Sequence, residues 1–129
     1  MGYFSDYLKR TDHRAITKWR HYFSVYEREL NRFRGQDISF LEIGVYRGGS
    51  IPMWVGYFGK EARLSFVDID PACRDHAEPG TYVEIGDQAD PAFLAELAEK
   101  HGPFDVVIDD GGHMMHQQIT SFEHLWPHL

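Results

Sequence analysis

Acidic residues and glycines gather where short apolar runs of the sequence end. The run 38–43 passes into a glycine-rich loop, 44–49, and a second run, 63–68, ends on Asp68. A glycine-rich turn after one strand, with a carboxylate at the end of the next, is typical of sites that hold the ribose hydroxyls of a nucleoside cofactor. Asp68 follows Gly44 by 24 residues, near the spacing of about 20 in that fingerprint.

The glycine loop differs from the dinucleotide pattern G-x-G-x-x-G, because Tyr46 stands where the second glycine would be. That glycine lets a pyrophosphate approach the backbone. The loop therefore argues against NAD and for a cofactor without phosphates. S-adenosylmethionine, which has a ribose, an amine and a positively charged sulfonium, suits an acidic rim. Plain structural turns are the alternative explanation of the glycines.

A second group of polar residues runs from Asp109 to His113. Adjacent carboxylates repel each other, and such a pair usually meets a cation, a hydroxyl or backbone donors. Asp110 is a candidate ligand for Mg²⁺, which prefers oxygen. His113 is a candidate general base for a hydroxyl proton. The alternative is a helix cap followed by a surface histidine.

The remaining histidines and the cysteine are expected to do no chemistry. His116 forms H-x-x-H with His113, but a helical zinc pair is normally H-x-x-x-H, and a third soft ligand is not evident. Cys73 is expected to be an unreactive thiol. Surface or packing roles are expected for His13, His21, His76, His101, His124 and His128.

The elements that position these residues alternate between strand and helix. Strands are predicted at 38–43, 63–68, 81–85 and 104–109, and helices at 13–33, after Ser50, after Asp90 and at 114–125. This alternation predicts an α/β fold, a Rossmann-like parallel sheet of about four strands with flanking helices. The acidic rim would lie at the carboxyl ends, where strands one and four meet and the strand order reverses.

Helix signals mark several boundaries. Asp12 is expected to cap the first long helix and Gly35 to follow its end, and Ser50 is expected to cap the next helix. The aromatic residues of that next helix are expected in the core. The same is expected of an apolar stripe on the last helix, which consists of Ile119, Phe122, Leu125 and Trp126.

Composition describes one acidic domain. The 129 residues are 43% apolar and 26% charged, with a net charge of −7, which argues against nucleic acid as a partner. Residues 1–35 hold eight of the 13 basic residues and are predicted as a helical arm (1–36) on an acidic body (37–129). A single cysteine and the lack of a membrane-length apolar run or signal peptide indicate a cytoplasmic chain with no membrane partner.

An ordered series of motifs resembles one family over nearly the whole chain. The series is LEIGV from 41, GGS from 48, MW from 53, VDIDP from 67, GDQ from 86, FD from 104 and DDGGH from 109. It is similar to the metal-dependent, S-adenosylmethionine-using O-methyltransferases of macrolide deoxysugars, of the mycinamicin and tylosin type. Cephalosporin-hydroxylase-like proteins share parts of the same motifs.

This resemblance implies roles for particular residues. His113 would be the general base for the hydroxyl of a sugar or natural product, and Asp110 a Mg²⁺ ligand. Asp68 would hold the ribose, Gly44 would lie by the methionine part, and Asp87 by the adenine. The full cofactor-binding set that it implies is Glu42, Gly44, Gly48, Gly49, Ser50, Asp68, Asp87, Gln88 and Asp109.

The family's sheet normally continues beyond a fourth strand, whereas this sequence ends at Leu129. The expectation is therefore the cofactor-binding part of a longer methyltransferase, with its C-terminal strands missing. An alternative is a non-catalytic module that pairs with another chain, such as a second copy, through the open edge of strand four. A nicotinamide-dependent oxidoreductase is the third hypothesis, weakened by the missing glycine.

Overall fold

A parallel sheet forms the centre of the molecule. The structure is a computed structural model and describes residues 2–9, 20–112 and 114–129. In that part of the chain the strands are β1 (Ser39–Ile43), β2 (Arg63–Asp68), β3 (Thr81–Ile85) and β4 (Val106–Asp109). They pair in the order β3-β2-β1-β4, all parallel. The predicted fold class and the reversal between strands one and four are confirmed.

Helices cover both faces of the sheet. The α-helices of the described residues are α1 (Tyr3–Leu8), α2 (Arg20–Leu30), α3 (Ser50–Phe58), α4 (Pro91–His101) and α5 (Met115–Leu125). Shorter 3₁₀ turns lie at Asn31–Phe33, Pro71–His76 and Trp126–His128. The helix expected over 13–33 thus ends in a 3₁₀ turn. Its first part, with the cap Asp12, lies outside the described residues.

The helix predicted after Asp90 is confirmed as α4. The structure shows that Asp90 caps it, since its side chain accepts a hydrogen bond from the Ala92 N–H at 3.0 Å. Gly35 follows the 3₁₀ turn with φ +71°, in the left-handed region that glycine adopts without a Cβ clash. Ser50 was expected as a cap, and this is wrong. Gly49 holds the N-cap position of α3, and Ser50 is the first helical residue.

Alternate residues of β1 enter the cores on opposite faces of the sheet. Phe40 belongs to a core built with α1, α2 and α3, whereas Leu41 and Ile43 belong to a core built with α4 and α5. All five residues of β1 are buried, as expected for a central strand of a parallel sheet covered on both faces. The rigid middle of the sheet therefore lies directly behind the glycine loop.

Aromatic side chains dominate the core beneath the N-terminal helices. The Phe4 ring is fully buried, and its centroid lies 4.5 Å from that of Tyr57 and 5.3 Å from that of Trp54. Trp54 in turn stacks on Phe58 at 5.5 Å. The prediction that the aromatic residues of α3 belong to the core is confirmed.

The apolar stripe of α5 lies largely outside the core. The exposed fraction is 48% for Ile119, 64% for Phe122 and 61% for Trp126, whereas Leu125 is buried. The expectation of core positions for Phe122 and Trp126 is thus wrong. The face of α5 that meets the described part of the sheet carries Ser121 and Leu125 instead.

None of the helices in the described ranges is long and apolar enough to cross a membrane.

One buried histidine, His101, is expected to make stability depend on pH. His101 ends α4 with an exposed fraction of 3%, and its Nε2 atom has no hydrogen-bond partner. Burial lowers the pKa of His101 below its ordinary value, with a smaller contribution in the same direction from the positive charges of Lys100 and Arg63. The Glu84 carboxylate, 3.9 Å from Nε2, raises the pKa but does not offset burial.

We expect the free energy of unfolding to fall as the pH drops below about 6.5, the ordinary histidine pKa. The unfolded state then binds a proton that the folded state does not, so stability present above this pH is lost below it. One such proton changes the free energy by at most about 1.4 kcal/mol per pH unit. Urea unfolding at a series of pH values measures the effect.

The His101→Leu variant should have a flatter pH dependence in this window, because it removes the titrating group while keeping an apolar side chain. His128→Gln is the matched control, since it removes an exposed histidine and should retain the wild-type pH dependence. Equal pH dependence in the wild type and in His101→Leu would contradict this assignment.

Candidate functional site

A cavity of about 350 Å³ lies at the carboxyl ends of the strands. Much of its wall is backbone, contributed by Gly44, Gly86, Gly111 and Gly112. The other lining residues are Ile43, Tyr46, Val67, Asp68, Ile69, Asp87, Gln88 and Gln117. Four members of the predicted cofactor-binding set thus line one cavity, namely Gly44, Asp68, Asp87 and Gln88.

Asp68 anchors the glycine loop at this cavity. Its Oδ2 atom accepts hydrogen bonds from the backbone N–H groups of Val45 at 2.8 Å and Tyr46 at 3.1 Å, and its Oδ1 accepts from Asp70 at 3.0 Å. Partial burial alone would raise the pKa of Asp68, but these donors outweigh it and hold the pKa below its ordinary value. A negative charge therefore sits at the rim of the cavity at neutral pH.

The glycines of the loop permit close contacts within the protein. Gly44 and Gly48 have φ values of +103° and +78°, which strain any other residue. A Cβ on Gly44 would collide with the backbone of Asp110, and one on Gly48 with the side chain of His76. Structural packing therefore accounts for these two glycines, while Gly44 also borders the cavity.

Glu42 and Ser50 contact each other beneath the loop and do not line the cavity. Glu42 is completely buried. Ser50 Oγ donates to Glu42 Oε1 at 2.6 Å, and the Trp54 indole N–H donates to Oε2 at 3.1 Å. The carboxyl group thus joins the end of β1 to the first turns of α3. The cofactor contacts that the resemblance implies for these two residues stay predictions.

Gln88 connects the loop after β3 with the turn after β4. Its Nε2 atom donates to both oxygens of Asp109, at 3.2 and 3.1 Å, and to Ser121 Oγ at 3.0 Å. Its Oε1 accepts from the Gly112 N–H at 2.6 Å. One of the two adjacent carboxylates, Asp109, therefore has an amide donor as its partner.

Asp110, the candidate metal ligand, lies beside the cavity. Asp110 begins the turn 110–112, and its N–H donates to the Ile43 carbonyl at 2.9 Å. His113, the candidate base, lies outside the described residues. His116 is exposed on α5. In the described ranges, no three His, Cys, Asp or Glu residues are grouped so that they could hold a metal ion.

Cys73 is buried beside the glycine loop, with Sγ donating to the Tyr46 carbonyl at 3.4 Å. Burial, followed by the charges of Asp68 and Asp70, raises the pKa of Cys73 to about 11. The thiol therefore stays protonated at neutral pH, which supports the expectation that it is unreactive.

The sequence pattern identifies Tyr46 only as the residue in the place of a glycine and does not predict the contacts of its side chain. Its ring lines the cavity, and its hydroxyl donates to the Asp110 carbonyl at 2.7 Å and lies 3.0 Å from the Gly111 carbonyl. The one available signal was a large aromatic residue in a loop of small ones. Such a side chain must cross the loop or project from it.

A larger cavity of about 710 Å³ lies between β4 and α5. Its walls include Val107, Phe122 and Trp126, together with the carboxyl end of β1. Asp109, a member of the predicted cofactor-binding set, also lines this cavity. It adjoins the outer edge of β4, which is the last strand of the sheet in the described ranges. The apolar stripe of α5 forms much of its wall.

A parallel sheet whose order reverses beside a glycine loop and an acidic strand end defines an open α/β domain with a ligand cavity at its switch point. The model of the family described as "Methyltransferase domain" matches residues 41–129 of this chain. The chain belongs to this methyltransferase family.

Curated relatives with similar sequences are O-methyltransferases. Demethylmacrocin O-methyltransferase of Streptomyces fradiae is 36% identical over 135 residues, which cover 96% of this chain and 33% of that protein. Mycinamicin VI 2''-O-methyltransferase of Micromonospora griseorubida is 37% identical over 118 residues, covering 84% of this chain and 29% of that protein. The chain thus spans about a third of the length of these relatives.

Solved structures agree with the sequence comparison. A crystal form of the MycE methyltransferase from the mycinamycin biosynthetic pathway, in complex with Mg and SAH, superposes with a TM-score of 0.80 at 34% identity. The match covers 98% of this chain and 35% of that one. Another MycE structure contains Mg, SAH and mycinamycin VI. The family resemblance seen in the sequence motifs is confirmed.

Two substitutions of Glu42 test whether its buried carboxyl group stabilises the contact between β1 and α3. Glu42→Leu removes the acceptor of the Ser50 hydroxyl and the Trp54 indole, and we expect it to lower the free energy of unfolding by about 3 kcal/mol. Glu42→Gln can still accept from the indole and donate to the hydroxyl oxygen, so its loss should stay below about 1.5 kcal/mol. Urea unfolding of both variants measures the difference.

Wild-type stability in Glu42→Leu would contradict the structural role. A Glu42→Gln variant of nearly unchanged stability that lost its ligand affinity would instead support the cofactor contact implied by the resemblance.

Proposed function

We propose that this chain is the S-adenosylmethionine-binding part of an O-methyltransferase that acts on a hydroxyl group of a sugar or another natural product. The single observation that carries the proposal is the Asp68 carboxylate at the end of β2, on the rim of a backbone-lined cavity at the switch point of the sheet. Carboxylates in this position accept hydrogen bonds from ribose hydroxyls in nucleoside-binding α/β domains.

The cavity fits a nucleoside cofactor in size and in chemistry. Its volume of about 350 Å³ lies in the range of small-molecule sites, roughly 300–1,000 Å³. The glycines of its wall present backbone to the cavity, while Ile69 adds an apolar surface against which an adenine ring could pack. The ionised Asp68 favours a cationic ligand over an anionic one.

The bound cofactor would supply an electrophilic methyl group on a positively charged sulfur. The residues of this chain would hold it in place: Asp68 would accept from the ribose, and Asp87 and Ile69 would border the base. Gly44 would let the rest of the cofactor approach the backbone closely. Holding the methyl group in line with an acceptor oxygen lowers the entropic part of the barrier.

The proton of the acceptor hydroxyl needs a base, and we assign this role to His113 on its position three residues after Asp110. A neutral imidazole is suited to this transfer near neutral pH. Asp110 remains the proposed Mg²⁺ ligand.

Isothermal titration with S-adenosylhomocysteine tests the proposal through two neighbouring carboxylates. Asp68→Asn should weaken binding by about tenfold or more, since a hydrogen bond to a charged group contributes about 1.5–3 kcal/mol. Asp70→Asn is the matched control. Asp70 does not line the cavity, its side chain caps a 3₁₀ turn, and asparagine caps equally well.

A folded wild-type chain that gives no binding heat with S-adenosylhomocysteine would contradict the proposal. Tighter binding of NAD would favour the oxidoreductase hypothesis. Concentration-dependent association in sedimentation velocity, together with no cofactor binding, would favour the non-catalytic module that pairs with a second copy through the edge of β4.

A further inference from the structure

Tyr46 has a backbone conformation that tyrosine rarely adopts. Its φ is +53°, in the left-handed region. A non-glycine residue stays in this region when the surrounding structure holds it there, and such residues cluster at functional sites. Here the Tyr46 N–H donates to Asp68 Oδ2 at 3.1 Å, and the Cys73 thiol donates to the Tyr46 carbonyl at 3.4 Å. Both backbone groups of Tyr46 are thus fixed from β2 and the 3₁₀ turn after it.

This conformation directs the tyrosine side chain to the turn after β4. The hydroxyl lies 2.7 Å from the Asp110 carbonyl oxygen and 3.0 Å from that of Gly111. The ring lines the cavity and has an exposed fraction of 43%. One side chain therefore joins the glycine loop to the turn that carries Asp110.

The amides of this turn face the rest of the protein. The N–H of Asp110 donates to the Ile43 carbonyl at 2.9 Å, that of Gly111 to Asp109 Oδ1 at 3.2 Å, and that of Gly112 to Gln88 Oε1 at 2.6 Å. Tyr46 thus holds the carbonyl groups of the turn, whereas Ile43, Asp109 and Gln88 hold its amides. The turn also forms part of the cavity wall, through Gly111 and Gly112.

We propose that Tyr46 is a positioning residue that couples the cofactor cavity to Asp110. Its hydroxyl holds the turn 110–112 in the conformation that completes the cavity wall. A ligand that fills the cavity therefore stabilises the same conformation as the hydrogen bonds of the Tyr46 hydroxyl. The inference rests on the proposed function for the identity of the ligand. By linkage, loosening the turn must then weaken ligand binding to the extent that it lowers the population of the closed turn.

Tyr46→Phe tests the bridge, because it removes the hydroxyl and keeps the ring. Amide hydrogen exchange in the ligand-free chain should accelerate at residues 110–112 by about fivefold, the factor for one net hydrogen bond. The affinity for S-adenosylhomocysteine should fall in proportion to the lost population of the closed turn, by at most about fivefold. Saturation with that ligand should slow the exchange of these amides in both proteins.

Tyr82→Phe is the matched control, since it also removes a hydroxyl from an exposed tyrosine, on β3 and away from the cavity lining. It should leave both quantities unchanged. Unchanged exchange at 110–112 in Tyr46→Phe would overturn the proposal, and an affinity loss without faster exchange would mean that the hydroxyl contacts the ligand directly. If the wild type binds no S-adenosylhomocysteine, the proposed function fails, while exchange in the ligand-free chain still tests the bridge.

Discussion

Three backbone N–H groups converge on the carboxylate of Asp68, and two of them, those of Val45 and Tyr46, belong to the glycine loop that follows β1. The end of β2 thus holds this loop, and a buried amide left without an acceptor would be costly. Oδ2 accepts two of these bonds and Oδ1 one. Because each carboxylate oxygen has two lone pairs, the Asp68 carboxylate can accept from more donors than these three. The structural role and the proposed binding role of Asp68 are therefore compatible.

The opposite wall of the cavity depends on side-chain hydrogen bonds between distant segments. Gln88 uses its amide to join Asp109, Ser121 and Gly112, while Tyr46 holds the carbonyls of the same region. Each neutral bond of this set contributes about 1 kcal/mol net, and a bond to an ionised carboxylate contributes about 1.5–3 kcal/mol. The turn that carries Asp110 is therefore held from three segments, the ends of β1 and β3 and the glycine loop.

The sequence was sufficient for the features that depend on local patterns. The strands were predictable because a parallel sheet covered on both faces needs continuous apolar runs, as in β1. The position of the acidic rim was predictable because it lies where those runs end. The environment of α5 was not predictable, since periodicity identifies an apolar stripe without showing what covers it. Likewise, the Glu42 partners and the Tyr46 bridge depend on side-chain directions and on contacts between distant segments, which spacing does not encode.

Two cavities border the carboxyl end of β1, and volume alone would favour the larger. Its apolar walls are open, however, because Phe122 and Trp126 expose more than half of their surface, at 64% and 61%. Small-molecule sites enclose about 70–90% of the ligand surface, and exposed apolar stripes of this kind are instead typical of contacts with other protein segments. The smaller cavity offers close backbone approach and an ionised acceptor at one point, as a polar nucleoside requires. The smaller cavity therefore supports the proposed cofactor site beside Asp68 better than the larger one does.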